Sequence, residues 1–190
     1  MTYPGVPAED WAPYQRLEDS VRAYTRDHEV ALDSLRGVLD FTTVQAFTLE
    51  RVPSTQPWGE ALWQEIAVTD GHRLILWHGD DEADDDRSDA LMFSSSVRTI
   101  PLRAIVDQGL RTRFRVEDNG ARTLHTVMLY LSTQTPERSM TELAEANETR
   151  TVQYVETYRF SKSITDGGRG QMQRLLQFGR ALSHYAALAK

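Results

Sequence analysis

The stretch that decides the fold runs from AVTDGHRLILWHG at residues 67–79, through an acid-rich segment, to LMFSSSVRTIPLRAI at residues 91–105. Its pattern is typical of a strand, a tight turn, a strand that ends in glycine, and a further strand pair hinged at Pro101. Asp70-Gly71 is a strong hairpin signal, because a two-residue turn needs the positive φ that these residues tolerate. The stretch therefore predicts the central hairpin of an antiparallel sheet.

Polar and apolar residues alternate through most of the chain after residue 40, which is the period of a β-strand. Counting the runs between turn signals predicts seven antiparallel strands. After the glycine-rich turn at residues 166–170, apolar residues recur at helical spacing and predict a closing amphipathic helix. The residues on its apolar face are Met172, Leu175, Leu176, Gly179, Leu182 and Ala186.

Residues 9–39 repeat apolar side chains every three or four positions, with charged residues between them, and predict one or two helices. We therefore divide the chain into an N-terminal arm and helical extension at residues 1–39 and a β-rich domain with its closing helix at residues 40–190. The expected fold class is α+β, mainly β.

Residues 68–79, VTDGHRLILWHG, and the segment IPLRAI at residues 100–105 resemble the bacterial form of the pleckstrin-homology (PH) domain. In that family a T-D-x-R-L-I hairpin that ends in glycine leads to an I-P-L-x-x-I segment on a later strand. The resemblance covers roughly residues 41–189. It implies a PH-like, seven-stranded antiparallel barrel with a C-terminal capping helix. The core side chains that it implies are Leu74, Leu76, Ile100, Leu102 and Ile105.

Bacterial PH-like domains look like scaffolding or oligomerisation units. The resemblance thus implies a non-catalytic binding or assembly module, acting through protein–protein contacts or homo-oligomerisation. Eukaryotic relatives that bind phosphoinositides carry lysines and arginines around the first hairpin loop. The corresponding loop here, RVPSTQPWGE at residues 51–60, has one arginine and one glutamate, which argues against phosphoinositide binding. A β-barrel that holds a small apolar molecule or lipid is the alternative.

The composition limits which classes of partner and which cellular compartment we expect. The formal net charge of −7 disfavours nucleic acid and anionic membranes, because both are bound through basic surfaces. The chain has no cysteine, so disulfides and thiolate chemistry are excluded. No run approaches the roughly 18 apolar residues of a membrane span, and the acidic, proline-broken start MTYPGVPAEDWAPY is unlike a signal peptide. We expect a cytoplasmic protein without an integral membrane segment.

The candidate chemical sites in the sequence are weak. The acids at residues 80–89 lack the spacing of an EF-hand loop, so we interpret them as an exposed, solvated loop. The five histidines include no H-E-x-x-H pair. An enzyme would need acid–base groups from Glu50, Glu65, Asp107 or His125, and nothing in their spacing singles them out. We expect no catalytic activity, no metal and no cofactor.

Arg111, Arg113 and Arg115 occupy alternate positions of one predicted strand and so share one face. The residues expected on the same face, across a two-residue turn at Asn119-Gly120, are Leu124, Thr126, Met128 and Tyr130. In that register Arg115 pairs with Leu124. The residues expected on the opposite face, in the core, are Leu110, Phe114, Val116, Val127, Leu129 and Leu131.

A face that mixes arginine with Met128 and Tyr130 has the composition of an interface. One hypothesis is therefore a contact surface for another protein, for a second subunit or for an anionic ligand. A second is that the acidic N-terminal helices of the same chain pack on these arginines. The acids concerned are Glu18, Asp19, Asp27, Glu29 and Asp33. A third is that the arginines simply end in water.

Overall fold

The computed structural model describes residues 9–84, 91–134, 140–143, 149–152 and 155–189. Two short helices, α1 (Leu17–Tyr24) and α2 (His28–Arg36), precede the sheets, and α3 (Gly168–Leu188) closes the chain. The strands are β1 (Ala46–Gln56), β2 (Gly59–Thr69), β3 (Arg73–Ala83), β4 (Leu91–Pro101), β5 (Ile105–Val116), β6 (Arg122–Gln134), β7 (Met140–Leu143), β8 (Thr149–Val152) and β9 (Val155–Ser163).

Seven of these strands form two antiparallel sheets, as the sequence predicts. Sheet A has the order β1-β2-β3-β4 and sheet B the order β5-β6-β9, while β7 and β8 form a separate two-stranded sheet. Strand pairing among the described residues leaves sheets A and B separate, so the barrel expected from the resemblance is not closed. The fold is mostly β, with helices at both ends of the chain.

The first of two hydrophobic clusters lies between the sheets and beneath α3, and we call it the α3 core. It contains all five core residues that the PH-like resemblance implies, each at most 5% exposed. Residues from the apolar face of α3 meet Val127, Leu129 and Phe160 of sheet B there. Of the predicted helix face, Met172, Leu175, Gly179, Leu182 and Ala186 are buried, and Phe178 joins them.

The second cluster lies on the other face of sheet A, beneath α1 and α2, and we call it the α1–α2 core. Leu32 and Leu35 of α2 pack there with strand residues such as Ile75 and Trp77. The run Leu74–Trp77 is buried throughout, as expected for a strand that is covered on both faces. The hypothesis that the N-terminal helices pack on the arginine strand is therefore wrong, because an apolar sheet face takes them instead.

An ion pair anchors the segment between α1 and α2 to sheet A. The guanidinium of Arg26 binds both carboxylate oxygens of Asp81, with Nη1–Oδ2 and Nη2–Oδ1 distances of 2.7 and 2.5 Å. Asp81 also accepts the backbone N–H of Leu62. β3 extends to Ala83, so the first acids of residues 80–89 lie in a strand. The prediction of a solvated loop is wrong for Asp81, whereas residues 85–89 lie outside the described residues.

The turns differ from the sequence prediction in length. Thr69 pairs with Leu74, so four residues turn the β2–β3 hairpin. The Asp70 carboxylate holds this turn by accepting the backbone N–H groups of His72 and Arg73. In the β5–β6 hairpin, the Glu117 N–H donates to the Ala121 carbonyl, so the loop has three residues and ends at Gly120 with φ of 77°. A positive φ in the third residue is typical of this loop type.

Candidate functional site: the outer face of sheet B

The three arginines predicted from the sequence do share the outer face of sheet B, and all three are exposed. Arg111 lies opposite Met128 and Arg113 opposite Thr126, as the alternation predicts. Arg115 lies opposite Thr123, one residue away from its predicted partner. The three-residue turn accounts for this shift.

A β-bulge at His125 restores the predicted pairing in the part of the hairpin that is farther from the turn. Arg113 pairs with Thr126 and the next residue, Phe114, pairs with Leu124, so that His125 is the extra residue on β6. A bulge reverses the side to which the following residues point. Leu124 consequently packs against the α3 core, and its predicted place on the arginine face is wrong.

Tyr130 is held on the arginine face by a glycine. Its ring lies over Gly109 on β5, where any Cβ would collide with the ring and its hydroxyl. On the other side of β6, Tyr130 is paired with Arg159 of β9. Arg159 is also exposed and adds a fourth arginine to the face. The sequence indicates that Arg159 points away from the core, because it precedes the buried Phe160 on the same strand. Its place beside Tyr130 follows from the pairing of β9 with β6, which the sequence does not reveal.

We define the arginine face as Arg111, Arg113, Arg115, Met128, Tyr130 and Arg159. Within the described ranges, no carboxylate lies within ion-pair distance of any of its four guanidinium groups. Other arginines of the chain, such as Arg26 and Arg73, form ion pairs. The protein is acidic overall, so this is a local patch of positive charge on a negative molecule.

The opposite face of the hairpin is also open near its tip. Leu110 touches Gly179 of α3 but is 38% exposed, and Phe114 and Val116 are 52% and 65% exposed. The prediction that Leu110, Phe114 and Val116 belong to the core is wrong, because α3 does not cover the hairpin beyond Leu110. Val127, Leu129 and Leu131 are fully buried, as predicted. The tip of the hairpin is thus exposed on both faces.

The space beneath α3, where an apolar ligand would lie, is filled with protein side chains. Met172, Leu175, Phe178 and Leu182 are fully buried there, and Phe178 makes an edge-to-face contact with Phe160 at 6.0 Å between ring centroids. A cleft of about 340 Å³ beside Gln45, Gly71 and Tyr185 lies at the surface instead.

Of the four acid–base candidates, the structure brings together Glu50 and Glu65, which are direct cross-strand partners on β1 and β2. Asp107 lies on β5, and His125 forms the bulge. No cluster of three or more metal-ligating side chains occurs within the described part of the chain. None of the helices described is both long and apolar enough to cross a membrane.

Comparison with protein-family models, with curated proteins and with solved structures gives no match.

Proposed function

We propose that this protein is a non-catalytic binding or assembly module with a PH-like architecture, and that it contacts other proteins or further copies of itself through the arginine face. The observation that supports it most is a set of four guanidinium groups, beside Met128 and Tyr130 on one exposed sheet face, for which the described residues offer no ion-pair partner. Arginine, tyrosine and methionine are enriched where proteins meet.

The order of elements supports the PH-like assignment. A four-stranded sheet, a three-stranded sheet and a closing helix follow one another, and the core residues of the family motif are buried. A cytoplasmic location stays a prediction, supported by the absence of cysteine. The apolar-ligand alternative receives no support from the filled space beneath α3, and we do not propose it.

Charge reversal on the arginine face tests the proposal. The face variant is Arg111→Glu/Arg113→Glu/Arg115→Glu in the full chain. A matched control variant carries Arg22→Glu/Arg169→Glu/Arg180→Glu, which changes the net charge equally at exposed arginines elsewhere. Sedimentation velocity over a range of concentrations measures self-association. We expect the wild type and the control to associate and the face variant to remain monomeric.

Contact with a different protein is tested with the same three proteins, immobilised and exposed to a lysate of the source cells. A specific partner should bind the wild type and the control but not the face variant, and its binding should weaken with salt because exposed charges are screened. If the wild type is monomeric throughout and captures no protein that the face variant loses, the proposed function fails.

A further inference from the structure

β1 is an edge strand of sheet A and β9 an edge strand of sheet B, and we call the place where a hydrogen bond joins these two strands the seam. At this seam the Glu50 carboxylate on β1 accepts the backbone N–H of Ser161 on β9, with an Oε1–N distance of 2.6 Å. The hydrogen bond joins residues 111 positions apart in the chain. A side-chain carboxylate thus accepts the N–H that, within a sheet, would donate to a backbone carbonyl of a neighbouring strand.

Glu65 lies beside this link. It is the direct partner of Glu50 on β2, and facing side chains of such pairs have Cβ atoms about 4.5–5.5 Å apart. Burial raises the pKa of Glu65 to about 8, with a further contribution from the charge of Glu50. Within the described part of the chain, the Glu65 carboxyl group has no hydrogen-bond partner.

The surroundings decide which of the two carboxyl groups holds a proton. Lys162 on β9 is only 1% exposed, and its charge, together with the Ser161 N–H, favours ionised Glu50 against the burial that raises its pKa. The described residues give Glu65 no comparable partner, so it keeps the proton. The other titratable groups around the pair are His78 beside Glu65 on β3, Tyr24 at the end of α1, and Asp166 before α3.

We propose that Glu50 and Glu65 make the β1–β9 seam a proton-controlled latch, closed while Glu65 is protonated and opened by loss of that proton. A second negative charge beside Glu50 has no counter-charge among the described residues, so it must be hydrated. Hydration of this charge would compete with the Glu50–Ser161 hydrogen bond that links the two edge strands. This device is independent of the arginine face and goes beyond the proposed function.

Proton linkage determines how the population of the open seam depends on pH. Opening releases the Glu65 proton, so the population of the open seam rises about tenfold per pH unit between the pKa of the open and closed states. The closed-state pKa of about 8 sets the upper end of this range. The latch is therefore firmest below the pKa of the open state, weakens up to about pH 8 and changes little above that value.

Amide hydrogen exchange at Ser161 measures the latch directly. In the full chain, labelled with ¹⁵N, the protection factor of the Ser161 amide is followed from pH 6 to 9 and corrected for the intrinsic pH dependence of exchange. We expect protection to fall about tenfold per pH unit and then level off near pH 8. Glu65→Gln should remove this slope, whereas Glu60→Gln on the same strand should keep it.

Three results would contradict the proposal of a proton-controlled latch. The first is an unchanged slope in Glu65→Gln. The second is a Ser161 protection factor equal at every pH to that of Leu129 in the α3 core, because the seam would then open only by global unfolding. The third is titration of the Glu65 carboxyl carbon, seen by ¹³C NMR, at the ordinary value of 4.5. None of these results depends on self-association or on a partner.

Discussion

The ring of Tyr130 on β6 lies over Gly109 on β5, in the space that a side chain at position 109 would fill. Tyr130 is 38% exposed, yet this contact gives its ring a fixed place between the arginines. Position 109 therefore has to be glycine as long as the Tyr130 ring lies over it. Substitutions at positions 109 and 130 can test this dependence.

Gly109→Ala should displace the Tyr130 ring and destabilise the protein by about 1 kcal/mol, the lower end of the range for overpacked sites, because the ring can move towards solvent. Urea denaturation measures the effect. In a Tyr130→Ala background the same substitution should be neutral or stabilising, since glycine weakens strand interiors. An equal loss of stability in both backgrounds would show that the ring is not the cause.

Asp81→Ala should destabilise the protein by about 3 kcal/mol, because the largely buried Arg26 guanidinium keeps its bond to Asp27 but loses its bidentate partner, and the buried Leu62 N–H loses its acceptor. The side chains of Asp81 and Arg26 are 8% and 17% exposed. Arg26→Lys should not preserve the stability, since an ammonium group cannot bind both oxygens in the same way. Urea denaturation measures both.

Asp33→Ala provides the control for this pair. Asp33 binds Arg36 on the exposed surface of α2, and such pairs contribute little. Comparable losses from Asp33→Ala and Asp81→Ala would contradict the assigned importance of the buried pair.

Stability should fall with rising pH because of Glu65. The folded state raises its pKa from 4.5 to about 8, so the folded protein retains a proton that the unfolded chain releases above 4.5. The stabilisation is complete below pH 4.5 and decreases by roughly 1 kcal/mol per pH unit towards pH 8. The difference in unfolding free energy between wild type and Glu65→Gln, measured from pH 5 to 9, isolates this group. A difference that is constant with pH would refute the prediction.

Removal of residues 1–39 should make the remaining chain aggregate. The deletion uncovers Leu49, Ile66, Ile75 and Trp77, all fully buried beneath α1 and α2, and a contiguous apolar sheet face of this kind promotes association. Light scattering and binding of a hydrophobic dye would detect the exposed face. A soluble, monomeric fragment would show that residues 40–190 fold as an independent domain, a boundary that remains a prediction from the sequence.

The sequence predicted those features that depend on local periodicity. The seven antiparallel strands, the buried Leu74 and Ile100, and the apolar face of α3 follow from spacings of two and of three or four residues, and these are confirmed. The alternation also places Arg111 and Arg113 correctly, since the extra turn residue and the bulge at His125 compensate for each other.

The remaining features depend on distances between elements, which periodicity does not contain. Phe114 lies on the side of β5 that faces the core, but it is exposed because α3 ends its coverage at Leu110. Asp81 is in an acid-rich segment, yet Arg26, 55 positions away, pairs with it. Each of these outcomes was decided by a neighbour that is remote in sequence.

Sheet A supplies alternate residues of the same strands to two different cores. On β2, Ile66 and Val68 point to the α1–α2 core while Ala67 points to the α3 core. A slip of one residue in strand pairing would therefore exchange the two sets, forcing bulky side chains into the space of alanine and leaving gaps on the other side. A shifted register would therefore disrupt the packing of both cores at once. We expect the register of β2 and β3 to persist when exposed residues of these strands are mutated.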